Sequence, residues 1–431
     1  MESGPSTTRL SFAGGRDHDD ARTLVLRFLE GDARTDPYPL LNRIRRSGPV
    51  WLRHGVVVLS SRAHCEAALR STDTSPVPVG VCSLSAGRLR RAVESAFSAR
   101  TAAALVPVLR SIIDDRLDSV AARGRLEAVT DLAHPVPMAV LSHLLGLPPA
   151  DAQWLHRRTM ALSPALDPGP ALAGADTSVA VAEHGRAAAD LDDYLARAVE
   201  RRRHTDGDDL LSRLMRGEPG GERLDEAEAA SFGRSLLGSG YEATAALVSG
   251  SALALLRAPH EIDAVRHDPG HTEHLVEETL RLDPPVQLVR RRAAEDLDLC
   301  GTPVPRGTVM VLLLAAAHRD PALAASPDVF AADGGSPHLA FGAGPHHCPG
   351  APLARLIASS VLVRLVQRVH GPRLALGTPS HRAASALRGL RALWVDADGF
   401  AARELPWPTL PTDRPSAHPR TAAFDAAGRT S

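Results

Sequence analysis

The run from Asp225 to Arg257 limits what this chain can fold into more than any other stretch. It is rich in apolar residues and contains no proline, Asp225 stands at a natural N-cap, and Glu228 follows at capping-box spacing. Pro259 stops the helix at the other end. At ~1.5 Å per residue such a helix spans on the order of 50 Å, enough to cross a molecule of this size, so the rest of the chain must be arranged around it. Its middle is unusual. Gly238-Ser239-Gly240 sits inside the apolar run, and a glycine there costs about 1 kcal/mol against alanine, so a packing or functional reason is expected.

Helical periodicity also marks Arg88–Ala96, Ala102–Val120, Pro137–Leu145, Val179–Arg203, Thr272–Leu282 and Ala351–Val369. Strand character is confined to Val50–Leu59, Leu297–Cys300 and Val309–Leu314. Aromatics are only 3% of residues, so a core must rest on Ala, Leu and Val. Residues 1–36 read as a polar arm around one amphipathic piece, Ala21–Leu29. Residues 400–431, rich in Pro, Ala, Thr and Arg without periodicity, read as a disordered tail.

The formal charge of −1 argues against nucleic acid as a partner. The longest apolar run, Val309–Ala317, is short of the ~20 residues a membrane helix needs, so no membrane span is expected. Cys65, Cys82, Cys300 and Cys348 show no paired spacing, and no signal-like stretch opens the sequence, so free thiols and a cytoplasmic location are expected. His267, His271 and His274 have metal-like spacing, but Asp268-Pro269-Gly270 breaks any shared helix.

The sharpest segment is Phe341-Gly342-Ala343-Gly344-Pro345-His346-His347-Cys348-Pro349-Gly350-Ala351-Pro352-Leu353-Ala354-Arg355. Its glycines allow a tight loop close to a flat ligand, and its cysteine precedes a helix whose positive end favours a thiolate. This segment resembles the haem-binding loop of the cytochrome P-450 family at every fixed position. Glu278-Thr279-Leu280-Arg281 is similar to the family's Glu-x-x-Arg, and Ala317-His318-Arg319-Asp320-Pro321 to another of its segments.

The resemblance implies a mainly α fold with a small β-rich part, formed as one domain over residues 37–399. It also implies a b-type haem held by Cys348, within a loop that includes Phe341, Gly342 and Gly350. His346, Arg291 and Arg90 become haem-propionate contacts, and Glu278 with Arg281 a structural brace. Pro349 lacks an N–H, which removes one possible donor to the sulfur and leaves it more electron-rich. Val286, Gln287, Leu288 and Val289 are expected to line the substrate pocket.

The chain departs from the family pattern in several places. In Ser239-Gly240-Tyr241-Glu242-Ala243-Thr244, Glu242 keeps the acid, but Ala243 replaces the first threonine of the oxygen-activating segment. Thr244 lies ~100° further round the helix and is no simple substitute. Ala86 stands where a propionate-binding histidine is common, Gly334 where an arginine usually joins Glu278 and Arg281, and the lid from Ala68 to Arg88 is short. The leading expectation is an enzyme that uses O₂ and two electrons from a ferredoxin-type donor docked on Arg88, Arg91 and Arg100. It would hydroxylate, epoxidise or couple a small or carrier-bound natural product. The rival is a non-catalytic homologue that stabilises a glycosyltransferase.

Overall fold

The computed structural model describes residues 15–31, 35–52, 55–77, 99–204, 207–217, 223–323, 326–333, 337–377 and 379–408. The chain opens with helices α1 (Gly15–Glu30) and α2 (Tyr38–Arg46) and the hairpin β1 (Val50–Leu52) and β2 (Val56–Leu59). Gly55, at φ +70°, makes the hairpin turn that the single predicted strand left out. Helix α3 (Arg62–Arg70), capped by the Ser61 hydroxyl, and β3 (Thr74–Pro76) follow.

Helices α4 (Ala99–Arg123), α5 (Pro135–Leu144), α6 (Ala152–Leu166), α7 (Gly169–Leu172), α8 (Ser178–Glu200) and α9 (Leu210–Arg216) lead to the long helix α10 (Glu226–Arg257). Its capping box forms in both directions: Asp225 accepts from the Glu228 N–H, and Glu228 accepts from the Asp225 N–H. Residues 244–249 of α10 are buried without a break, as a helix through the middle of a core requires. It packs against α5, α6, α8 and α9, and on its other sides against α11 (Pro259–His267), α12 (His271–Leu282) and the last helix, α14 (Ala351–Arg368).

A five-stranded sheet has the order β1-β2-β8-β5-β3, where β5 is Val289–Ala293 and β8 is Val309–Leu312. Strands β2 and β8 run parallel (Val58 opposite Val311), and the other pairs are antiparallel. Between β5 and β8 lies the hairpin β6 (Leu297–Leu299) and β7 (Thr302–Val304). The chain then turns into the short helix α13 (Leu314–Ala317), so the strand expected to reach Leu314 ends two residues earlier. Helix α14 (Ala351–Arg368) leads into small ladders made by β9 (Val369–His370), β10 (Arg373–Leu374), β11 (Trp394–Asp396), β12 (Gly399–Phe400) and β4 (Leu126–Glu127).

The amphipathic piece of the N-terminal arm packs inward: Ala21, Leu24, Val25, Phe28 and Leu29 of α1 are buried in one cluster with α2 and the sheet. The segment expected to be a tail from residue 400 is fastened down as far as Trp407. Phe400 pairs with Val369, and Arg364 and Arg368, almost fully buried on α14, donate to the carbonyls of Arg403, Leu405 and Ala401. Asp114 accepts from both arginines and from the Trp407 indole. Burying those guanidinium groups needs acceptors, and the backbone at 401–405 supplies them.

Candidate functional site

The cysteine loop is built on α12. Glu278 and Arg281, one turn apart on that helix, form a bidentate pair at 2.7 Å with both side chains nearly inaccessible. Arg281 also donates to the carbonyls of Pro327 and Val329, while Glu278 accepts from the Ala331 N–H. The pair therefore holds the stretch 327–331 against α12. The position expected to carry a third member, Gly334, lies outside the described residues.

His318 makes the next tie. Its Nε2 accepts from the Leu339 N–H at 2.8 Å, which leaves the proton on Nδ1 to donate to the Arg281 carbonyl at 3.1 Å. Complete burial, with His338 and Arg62 nearby, pushes His318 well below the usual imidazole range, so this neutral tautomer persists.

Arg355, the last residue of the cysteine motif, reaches back to α12 and binds both oxygens of Glu277 at 2.5 and 2.9 Å. Its guanidinium lies 4.5 Å from the centre of the Phe341 ring. Burial raises the Glu277 carboxyl, but the bonds from Arg355 and His338 outweigh that and hold it at about 2. Phe341 is thus clamped before the turn.

Gly342 and Gly344 adopt φ of +75° and +66°. A Cβ on Gly344 would lie 2.7 Å from Arg70 Cα, so no other residue fits where the loop crosses the end of α3. The Cys348 N–H donates to the Phe341 carbonyl at 2.8 Å, closing the loop and setting Cys348 three residues ahead of α14. Gly350 is the residue before that helix, and a Cβ there would meet nothing but the Cys348 sulfur, at 3.8 Å. His346 lies in the turn and is half-buried.

Two features show that these residues fit a haem. Arg291, on β5, is 7% exposed, and its Nε has no hydrogen-bond partner among the described residues. Burial alone lowers its pKa, with no carboxylate to offset it, so a buried cation awaits an anion. The second feature is on α10. Between the buried stretches Ser235–Leu237 and Thr244–Ser249 of α10, Ser239 is exposed and Gly238, Gly240 and Ala243 are half-exposed. A Cβ on Gly240 would touch only Leu236 of its own helix. One face of the central helix is therefore bare at its midpoint, where its side chains are small.

The acid beside this bare face is held from an unexpected quarter. Glu242 is 9% exposed and pairs with Arg382, at 2.6 Å, from the stretch that follows β10. Burial raises the Glu242 carboxyl against the pull of Arg382 and a bond from Ser163 of α6. Thr244 turns its hydroxyl back to the Gly240 carbonyl at 2.6 Å, and Ser239 does the same to Ser235, also at 2.6 Å. Thr244 is thus occupied with its own helix.

Among the residues expected at the substrate pocket, Leu288 is buried in the cluster of α1, α2 and β2. Gln287 is buried as well: its amide donates to the Pro284 carbonyl and its Oε1 is left without a partner among the described residues. Val286 bridges to Leu387, and Val289 packs partly buried at the sheet. Arg90, Ala86, Arg88, Arg91 and Cys82, the helix Arg88–Ala96 and the side chain of Arg100 lie outside the described residues. Cys65 is a buried filler that donates to the Leu59 carbonyl, and Cys300 is exposed. No cluster of three metal-capable side chains occurs among the described residues. No described helix is long and apolar enough to cross a membrane.

Sequence reasoning missed the roles of Arg382 and His318. Both act across long separations in sequence, Arg382 on Glu242 and His318 on Arg281 and Leu339, and no local spacing signals such contacts.

A family model described as cytochrome P-450 matches residues 180–370. Erythromycin C-12 hydroxylase from Saccharopolyspora erythraea is 33% identical over 348 residues, covering 76% of this chain and 86% of its own. The crystal structure of Mycobacterium smegmatis CYP164A2 superposes with a TM-score of 0.79 at 38% identity, covering 87% of this chain and 99% of that one. P450BioI, in complex with acyl carrier protein bearing hexadec-9Z-enoic acid, gives 0.77 at 28% identity over 87% of this chain and all of that one.

Proposed function

This chain belongs to the cytochrome P-450 family and is a haem-dependent monooxygenase, and from that premise we propose a substrate class and a set of residue roles. The substrate is a polyketide- or peptide-like natural product, free or tethered to a carrier protein, and the reaction is hydroxylation, epoxidation or oxidative coupling. A ferredoxin-type protein supplies the electrons. Support for the class comes from the erythromycin hydroxylase and from the relative that binds an acylated carrier protein.

The observation that carries the site assignment is the buried Arg291 guanidinium, which bonds one backbone carbonyl and meets no carboxylate among the described residues, together with the closed Cys348 loop. Cys348 would bind the haem iron, with Arg291, His346 and Arg90 on the propionates. Phe341, Gly342 and Gly350 would shape the proximal side. When bound, the haem supplies the reductive activation of O₂, which thiolate donation favours.

The chain's own residues then handle water and protons. The bare stretch at Ser239, Gly240 and Ala243 leaves room beside the helix for oxygen and substrate. Glu242, its carboxyl raised by burial, takes up a proton more readily than a free carboxylate, and Arg382 fixes where that carboxyl points. With alanine at 243 and Thr244 tied to Gly240, the hydroxyl that completes proton delivery comes from substrate or water. Gln287 offers a carbonyl oxygen, without a partner among the described residues, for a substrate N–H or O–H.

The test is turnover of a panel of macrolactones and of acyl and peptidyl carrier-protein conjugates, with a ferredoxin and its reductase. The expected product gains one oxygen atom or loses two hydrogens. A chain that oxidises fatty acids or terpenes but none of this panel contradicts the assigned class.

A further inference from the structure

On the side of α10 away from its bare stretch, the structure holds a second cavity. Tyr241 is two residues from both Ser239 and Ala243, hence ~200° round the helix from each. Its ring is fully buried, and its hydroxyl sits between two imidazoles, 2.7 Å from His134 Nδ1 and 2.5 Å from His156 Nδ1. Both histidines line a cavity of about 380 Å³ bounded by Thr130, Pro135, Met138, Ala152 and Gln153, with Arg116 at its exposed edge. That volume is in the range of small-molecule sites.

The tyrosine fixes the tautomers of its neighbours. A phenol has one proton, so it donates to one Nδ1 and accepts from the other. The histidine that receives the proton must carry its own on Nε2, and the one that donates must keep Nε2 bare. Neither Nε2 has a protein partner among the described residues. The two rings, with centroids 5.2 Å apart, therefore offer one donor and one acceptor, whichever way the phenol points. Burial, then Arg382, keeps both imidazoles below their usual range (His134 at about 4), so the pair is neutral at pH 7.

We propose that this cavity is a second binding site, for a small neutral molecule with an apolar body and one hydroxyl or amide group that donates and accepts together. The wall explains the choice. Met138, Pro135 and Ala152 suit an aliphatic or aromatic body, and an uncharged donor–acceptor pair recognises a neutral group rather than an anion.

Calorimetric titration of the haem-loaded protein with cyclohexanol tests the proposal. Methylcyclohexane and cyclohexanecarboxylate serve as the controls, and the Soret band is followed in parallel. The expected result is saturable, one-to-one binding of cyclohexanol with no Soret change, no binding of methylcyclohexane, and at least tenfold weaker binding of the carboxylate. Ala152→Trp fills the cavity and should abolish the heat, and the milder Ala152→Leu should reduce it. His156→Phe, which removes one hydrogen-bonding group, should weaken binding about tenfold. Absence of saturable heat overturns the proposal, as does carboxylate binding as tight as the alcohol. Heat that survives Ala152→Trp with an accompanying Soret shift also overturns it, because the molecule then occupies the substrate pocket. None of these outcomes bears on the substrate class.

Discussion

A buried charge with a partner and one without respond differently to removal. Glu278 neutralises Arg281 in near-complete burial, so Glu278→Ala strands a guanidinium and frees the 327–331 stretch. The expected loss is about 3–5 kcal/mol, read by chemical denaturation of the haem-loaded protein. Arg291 has no carboxylate to strand. Arg291→Leu should leave the fold intact but speed haem loss to apomyoglobin severalfold. Pro349→Leu restores an N–H near the sulfur, and the reduction potential measured by spectroelectrochemistry should move in the positive direction. At this scale the sequence was most legible where one residue type alone meets a need. Gly342, Gly344 and Cys348 are such positions, fixed by positive φ and by thiolate chemistry. Arg382 was not legible, because its partner Glu242 lies far away along the chain and only the folded molecule brings them together.

At the scale of elements, the contact between α12 and α14 carries a pH dependence. The folded pKa of Glu277 is depressed to about 2 by Arg355 and His338, below its unfolded value near ~4.3. Its stabilising contribution is therefore complete above pH ~5 and is lost as pH falls toward ~2. The side chain is 39% exposed, so solvent screening limits the contribution to on the order of 1 kcal/mol. Glu277→Gln should cost that amount at pH 7, with the difference from the parent closing as urea melts are repeated at lower pH. Element α10 was readable almost to the residue because both its ends carry local chemistry, a capping box and a proline. Strand β5 was not read as a strand: Val289–Ala293 holds three consecutive arginines, and it becomes a strand through its pairing with β3 and β8.

For the molecule as a whole, the fold class followed from the family resemblance that the cysteine motif carries, while the chain ends did not. Residues 401–407 have no periodicity of their own and are ordered by acceptors they offer to Arg364 and Arg368. A chain ending at Asp398 leaves those arginines with fewer partners in a buried place and should lose several kcal/mol, seen as a drop of several degrees in Tm. The whole account rests on one bond, from the Cys348 sulfur to haem iron. It is tested by the CO-difference spectrum of the reduced protein beside that of Cys348→Ala. The parent should show the band at the wavelength that gives the family its name, and the variant should lose it while its far-ultraviolet dichroism stays unchanged. A parent without that band, or a correctly folded variant that keeps it, contradicts the assignment.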